Sequence, residues 1–116
     1  MDFKNATLPL VQYFQRSLDI FASVRAYKLD SDVLLPALMI KQVDDTTIQI
    51  IVRSNDDIEA LELCEFIGND LKRNFARVTG INIFDIDFQS TPIPDLDEET
   101  DDPEAWCYLS INYFEN

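Results

Sequence analysis

The 116-residue chain has no histidine, two glycines, two cysteines and no run of about twenty apolar residues. The missing histidine removes the commonest general base near neutral pH, the commonest metal ligand, and any Ser-His or Cys-His nucleophile. With only Gly68 and Gly80, neither a glycine-rich phosphate loop nor a dinucleotide fingerprint can be written. An enzyme built on this chain is restricted to carboxylates, lysines and hydroxyls. Asp85 and Asp87 are the nearest to an acid-base pair, but a strand places both on one outer face, where acids are ordinarily solvated. No catalytic residue, cofactor-binding residue, metal ligand or cofactor is therefore assigned, and the chain is read as a non-enzyme. The N-terminus lacks a basic segment followed by an apolar run and a small-residue cleavage site, so an intracellular, soluble protein is expected. Without an export signal, Cys64 on a helical stripe and Cys107 in a strand-like segment read as buried thiols, although spacing alone leaves their pairing open.

Basic residues are also scarce. Nine Lys and Arg face twenty-two Asp and Glu, a net charge of −13. Such a surface repels phosphate backbones and anionic membranes over roughly a Debye length, which disfavours ordinary nucleic-acid binding. Part of the excess is local: the run DLDEETDDPE from Asp95 to Glu104 holds seven carboxylates, Asp95, Asp97, Glu98, Glu99, Asp101, Asp102 and Glu104, and no base. It does not fit an EF-hand loop, since no glycine follows the third acidic position and Pro103 intrudes near the close. Its composition predicts a mobile, solvated loop or an electrostatic surface toward a channel or partner.

What is present is a strand joined to a long amphipathic helix. Ile48, Ile50, Ile51 and Val52 suit a pleated surface. Ser54, Asn55 and Asp56 then offer oxygens to a helix start, and Glu59 stands at the capping-box position. Ala60, Leu63, Cys64, Ile67, Leu71 and Phe75 recur at helical spacing, and Thr79 and Gly80 provide the expected stop. Upstream, Leu8 and Pro9 open a first helix whose stripe, Leu10, Val11, Phe14, Leu18, Phe21 and Val24, carries it to about Arg25. Residues 27–35 show no clean period. Ala37–Val43 and Thr47–Arg53 then form a hairpin across Asp44 and Asp45. After the second helix, Phe84, Ile86 and Phe88 alternate with Asp85, Asp87 and Gln89 until Pro92 and Pro94. Trp106–Phe114 makes a closing strand with Cys107, Leu109, Ile111 and Tyr113 on one face. The expected fold is a single α+β domain over residues 1–116, in the order α-β-β-α-β-β. Its four-stranded antiparallel sheet carries two helices on one face.

Large side chains remain for the other face. Ile51, Trp106, Tyr108 and Phe114, with Arg53 at a strand end, are the candidate oligomer-interface residues, because monomers seldom expose large contiguous apolar patches. A curled sheet covered by loops would account for them equally well.

These segments together resemble a family, the tail terminator and minor capsid proteins at the head-tail junction of long-tailed bacteriophages. The resemblance rests on the N-terminal helix, the entry Leu35-Pro36-Ala37-Leu38, and the strand Gln49-Ile50-Ile51-Val52-Arg53-Ser54. It continues through the Asp-Asp-x-Glu-Ala-x-Glu-Leu helix start (Asp56 to Leu63) and the closing Ser110-Ile111-Asn112-Tyr113. It implies a virion structural subunit, made in the host cytoplasm, that forms a homo-oligomeric ring, typically a hexamer. Such a ring caps the tail tube and meets a head-completion or connector protein, with DNA passing through it rather than being gripped. The long acidic segment Asp95 to Glu104 departs from the family pattern. The alternative is a small acidic DNA mimic that occupies the basic cleft of a nucleic-acid enzyme, steered by charge. A mimic needs its carboxylates spread along an extended surface, whereas many of these sit in one short segment.

Overall fold

In the computed structural model, which describes residues 5–17 and 19–115, the first helix, α1 (Thr7–Ser17), starts where the Asn5 side-chain oxygen accepts from the Thr7 amide at 2.7 Å. Leu10, Val11, Tyr13 and Phe14 form its buried stripe. The helix is shorter than the apolar spacing implies. Leu18 lies outside the described residues, Phe21 is in irregular backbone, and Val24 belongs to strand β1 (Ser23–Ala26). Phe21 and Val24 are buried all the same. Their three-residue step suits a bend into a strand as well as a helix, and β-branched Val24 favours the extended form.

The expected hairpin is present as β2 (Ala37–Asp44) and β3 (Thr47–Arg53). Its turn is held by the Asp44 carboxylate, which accepts from the Thr46 amide at 2.9 Å. Helix α2 (Asp57–Asn74) begins at the expected cap: an Asp56 carboxylate oxygen accepts from the Glu59 amide at 2.9 Å. The reciprocal half of the capping box is altered. Glu59 takes the Ser54 hydroxyl, whose oxygen in turn accepts from the Asp56 amide at 3.3 Å. Ala60, Cys64, Ile67 and Leu71 are fully buried, and Leu63 and Phe75 pack at the margin. The helix stops at Asn74, earlier than Thr79 and Gly80, and a 3-10 turn (Phe75–Arg77) follows. Gly80, at φ +94°, instead turns the chain into β4 (Ile81–Phe88). The remaining strands are β5 (Ile93–Leu96) and β6 (Pro103–Glu115).

The expected four-stranded antiparallel sheet is overturned. Six strands form one mixed sheet in the order β1-β2-β3-β6-β4, with β5 also on β6, and β1 runs parallel to β2. Sequence reasoning missed two strands for different reasons. β1 was hidden inside the extended helical stripe. β5 lies among the prolines read as breakers, yet Pro94 sits opposite Ala105 at the sheet margin, where a strand tolerates the lost donor. β4 and β5 both run antiparallel to β6, on the edge opposite β3.

A register shift between Ile83 and Asp85 changes the phase of β4. Ile86 remains buried, but Phe84, expected beside it, is 56% exposed and packs on Phe114 with ring centroids 5.1 Å apart. Both helices cover one face of the sheet, over Leu38, Ile40, Ile48, Ile50, Val52, Ala105, Cys107, Leu109 and Ile111. Gly68 permits α2 to accept the Phe88 ring, since a Cβ there would lie 2.2 Å from the ring's Cζ.

The helices are tied to each other by one buried polar contact. Tyr13 donates to Asp70 at 2.8 Å, and Asn74 donates to the other carboxylate oxygen at 3.0 Å. Burial, then the hydrogen bond to Asp70 and the charge of Asp70, push the Tyr13 phenol up to about 12, while Arg77 opposes the shift. The neutral phenol is the form that folding favours. Its contribution is therefore whole below about pH 10 and is lost as pH rises through about 12. Denaturant melts across that alkaline window should show a falling midpoint, and Tyr13→Phe should flatten the fall; an equal fall in the variant would contradict this.

Candidate functional site

Cross-strand register assembles the helix-free face into rows. Met39 pairs with Ile51, Ile51 with Trp106, and Trp106 with Ile93, so one apolar row crosses four strands. Trp106 meets Tyr108 edge-on, with centroids 5.3 Å apart and planes at 73°. On one side the row is flanked by Lys41, Gln49 and Tyr108, and on the other by Ala37, Arg53, Glu104 and Asp95. Ile51, Trp106 and Tyr108 are only half-buried and Ile93 is 39% exposed, whereas Met39, at the other end of the row, is buried within the chain. Three expected interface residues thus share one patch. Phe114 lies on the same face of β6 but eight residues beyond Trp106, about 27 Å along the strand, where it joins Phe84. Ile93 was missed because Pro92 and Pro94 enclose it, and Met39 completes the row without adding accessible surface, being buried.

Arg53 is 4% exposed, and its charged group is engaged within the chain. Nε donates to Glu104 at 2.9 Å, Nη2 to Asp97 at 3.0 Å, and Nη1 to the Asp30 carbonyl at 3.0 Å. One guanidinium therefore joins β3, the start of β6, the acidic segment and the return from β1 to β2. Planar geometry with several fixed donors makes this possible for arginine and not for lysine.

The acidic segment is an ordered hairpin tip, which corrects the expectation of a mobile loop. Leu96 pairs with Pro103, the Asp97 amide donates to the Asp102 carbonyl at 3.0 Å, and the Asp101 amide donates to the Asp97 carbonyl at 2.9 Å. One Asp97 carboxylate oxygen also accepts from the Thr100 amide and hydroxyl at 3.0 and 2.9 Å. Asp101 closes the turn at φ +60°, a region that aspartate tolerates better than most residues. Composition alone missed this because the ordering contacts come from Arg53 and Thr100. Asp95, Glu98, Glu99 and Asp101 are exposed, while Asp97, Asp102 and Glu104 are half-buried.

Burial acts on both partners of Arg53, with different results. It raises Glu104 above the usual carboxylate range despite the hydrogen bond and charge of Arg53. At Asp97 burial is outweighed by the Thr100 contacts and by Arg53, leaving that carboxyl below its ordinary value. A cleft of about 540 Å³ lies beside the tip, lined by Lys28, Asp30, Asp32, Asp97 and Glu99. Among the described residues, no group of three or more Cys, Asp or Glu is placed to hold a metal ion. Cys64 and Cys107 are free, buried thiols with sulfurs 3.8 Å apart. Asp85 and Asp87 are both exposed, and Lys72 pairs with Asp87 at 3.1 Å.

No protein-family model matches the chain, and no curated protein matches it. No helix among the described residues is long and apolar enough to cross a membrane.

Replacing Arg53 by Met should destabilise the domain by about 3 kcal/mol, because Glu104 and Asp97 are left desolvated without their cation. Amide exchange at Asp97 and Asp101 should accelerate more than exchange in the centre of β3. Uniform acceleration would mean that Arg53 does not specifically order the tip.

Proposed function

We propose that this chain is a virion structural subunit, a tail terminator or head-tail connector protein that forms a homo-oligomeric ring at the end of a bacteriophage tail. The observation that carries the reading is the accessible apolar row Ile51–Trp106–Ile93 on the face without helices, whose far end at Met39 is already buried within the chain. A half-buried tryptophan and a partly exposed isoleucine beside Tyr108 form a surface suited to burial against a neighbouring subunit. Polar residues flank it, with Lys41 and Gln49 on one side and Glu104 and Asp95 on the other, as at the rim of a protein interface.

In this reading the functional residues act by contact. Ile51, Trp106 and Tyr108 meet the next subunit, while Phe114 with Phe84 offers a second, smaller patch. The tail tube protein and a head-completion protein are the other partners, and six copies close the ring. The strong overall negative charge, −13 per chain, keeps a passing duplex from forming the counterion-releasing contacts that create affinity, so DNA slides past.

Native mass spectrometry over a wide concentration range, with and without assembled tail tubes, tests the reading. A closed ring is expected, alone or on tubes. Trp106→Glu should weaken self-association at least about 100-fold, by burying an uncompensated charge, while leaving the fold intact. A wild-type protein that stays monomeric and ignores tubes would sink the proposal. Competition with DNA for a basic enzyme would then favour the DNA-mimic alternative.

A further inference from the structure

The two ends of α2 face opposite electrostatic surroundings. Its first turn adjoins the acidic hairpin, since the Ser54 amide donates to the Pro103 carbonyl at 3.0 Å. Its 18 residues carry the chain about 27 Å away from that end, in a molecule whose longest dimension is 41 Å. At the far end stand Arg73 and Arg77. Both are exposed, and neither has an acidic partner within 4 Å among the described residues. Arg16 of α1 reaches the same corner, donating to the Thr79 hydroxyl at 3.0 Å. Asp70, the nearby buried carboxylate, is engaged by Tyr13 and Asn74. In a chain with twenty-two acids and nine bases, three arginines at one corner, none with an acidic partner within 4 Å among the described residues, are an uneven distribution.

We propose that the acidic hairpin tip of one copy docks against the Arg16–Arg73–Arg77 corner of the next, a head-to-tail contact between copies of this chain. The proposal rests on the self-assembly reading and assigns it a contact distinct from the apolar row. Glu98, Glu99 and Asp101 are the exposed carboxylates that meet the guanidinia, which can accept them in forked geometry. Arg53 and Thr100 already hold the tip in shape, so docking orders little additional chain. The two surfaces differ, so the contact is heterologous: it closes into a ring or continues as a filament. Complementary ends also orient encounters between molecules that otherwise repel at a net charge of −13 each.

Sedimentation velocity on the full-length protein, at low and high salt, tests this with paired charge reversals. Arg73→Glu with Arg77→Glu, and separately Glu98→Lys with Glu99→Lys, should each weaken assembly at least about tenfold. The quadruple variant should recover most of the loss. Wild-type assembly should also weaken as salt rises. Circular dichroism verifies the fold of each variant, and the hairpin pair tests the contact independently of the helix pair. If the wild type assembles and neither reversal weakens it, this contact is wrong while the self-assembly reading stands. If the wild type remains monomeric under every condition, both fail. A short DNA duplex in the same experiment separates the remaining possibility. Arginine-dependent DNA binding with unchanged assembly would overturn the proposal in favour of a phosphate-backbone site.

Discussion

Strand β6 is the constraint around which the domain is arranged. Its 13 residues are long enough to serve two sets of neighbours, with β3 on one edge and both β4 and β5 on the other. One face of the strand buries Ala105, Cys107, Leu109 and Ile111 beneath the helices, and the other presents Trp106 and Tyr108. Because side chains alternate along a strand, a one-residue slip would move every one of these groups to the wrong face. The bulge in β4 accommodates the pairing locally, at the cost of turning Phe84 outward.

The outer face depends on Arg53 as much as the inner face depends on apolar packing. Burying a guanidinium is unfavourable unless its donors are satisfied, and here two carboxylates and a carbonyl satisfy them. The same contacts convert a run of seven carboxylates into a shaped hairpin rather than a solvated tail. Rigidity and charge are thereby combined at one end of the molecule, with the apolar row beside it and exposed arginines at the far end of α2.

Elements with strong local signals were legible in the sequence. The hairpin of β2 and β3, the Asp56 cap and the buried stripe of α2 follow from turn chemistry, capping and a 3.6-residue period, all of which act within a few residues. The inward face of β6 was legible for the same reason. The limits of α1 were not, because Phe21 and Val24 keep an apolar spacing that a bend and a strand satisfy as well as a helix. β5 was not legible either: Pro92 and Pro94 argue against a strand wherever the free edge of the sheet is not known in advance.

By itself, the sequence determined that this is an α+β chain of strong negative charge, without histidine chemistry, and with more large apolar side chains than two helices can cover on one side of a sheet. Only the tertiary structure decided that β1 pairs parallel to β2, that Met39 and Ile93 extend the row of Ile51 and Trp106, and that Phe114 stands apart from it. It also decided that Arg53 lies inside the molecule, holding the acidic tip in place. The division has a physical origin. Period, capping and charge are carried by neighbouring residues, whereas strand pairing and ion pairing join residues tens of positions apart, such as Arg53 and Glu104, whose proximity exists only once the sheet has formed.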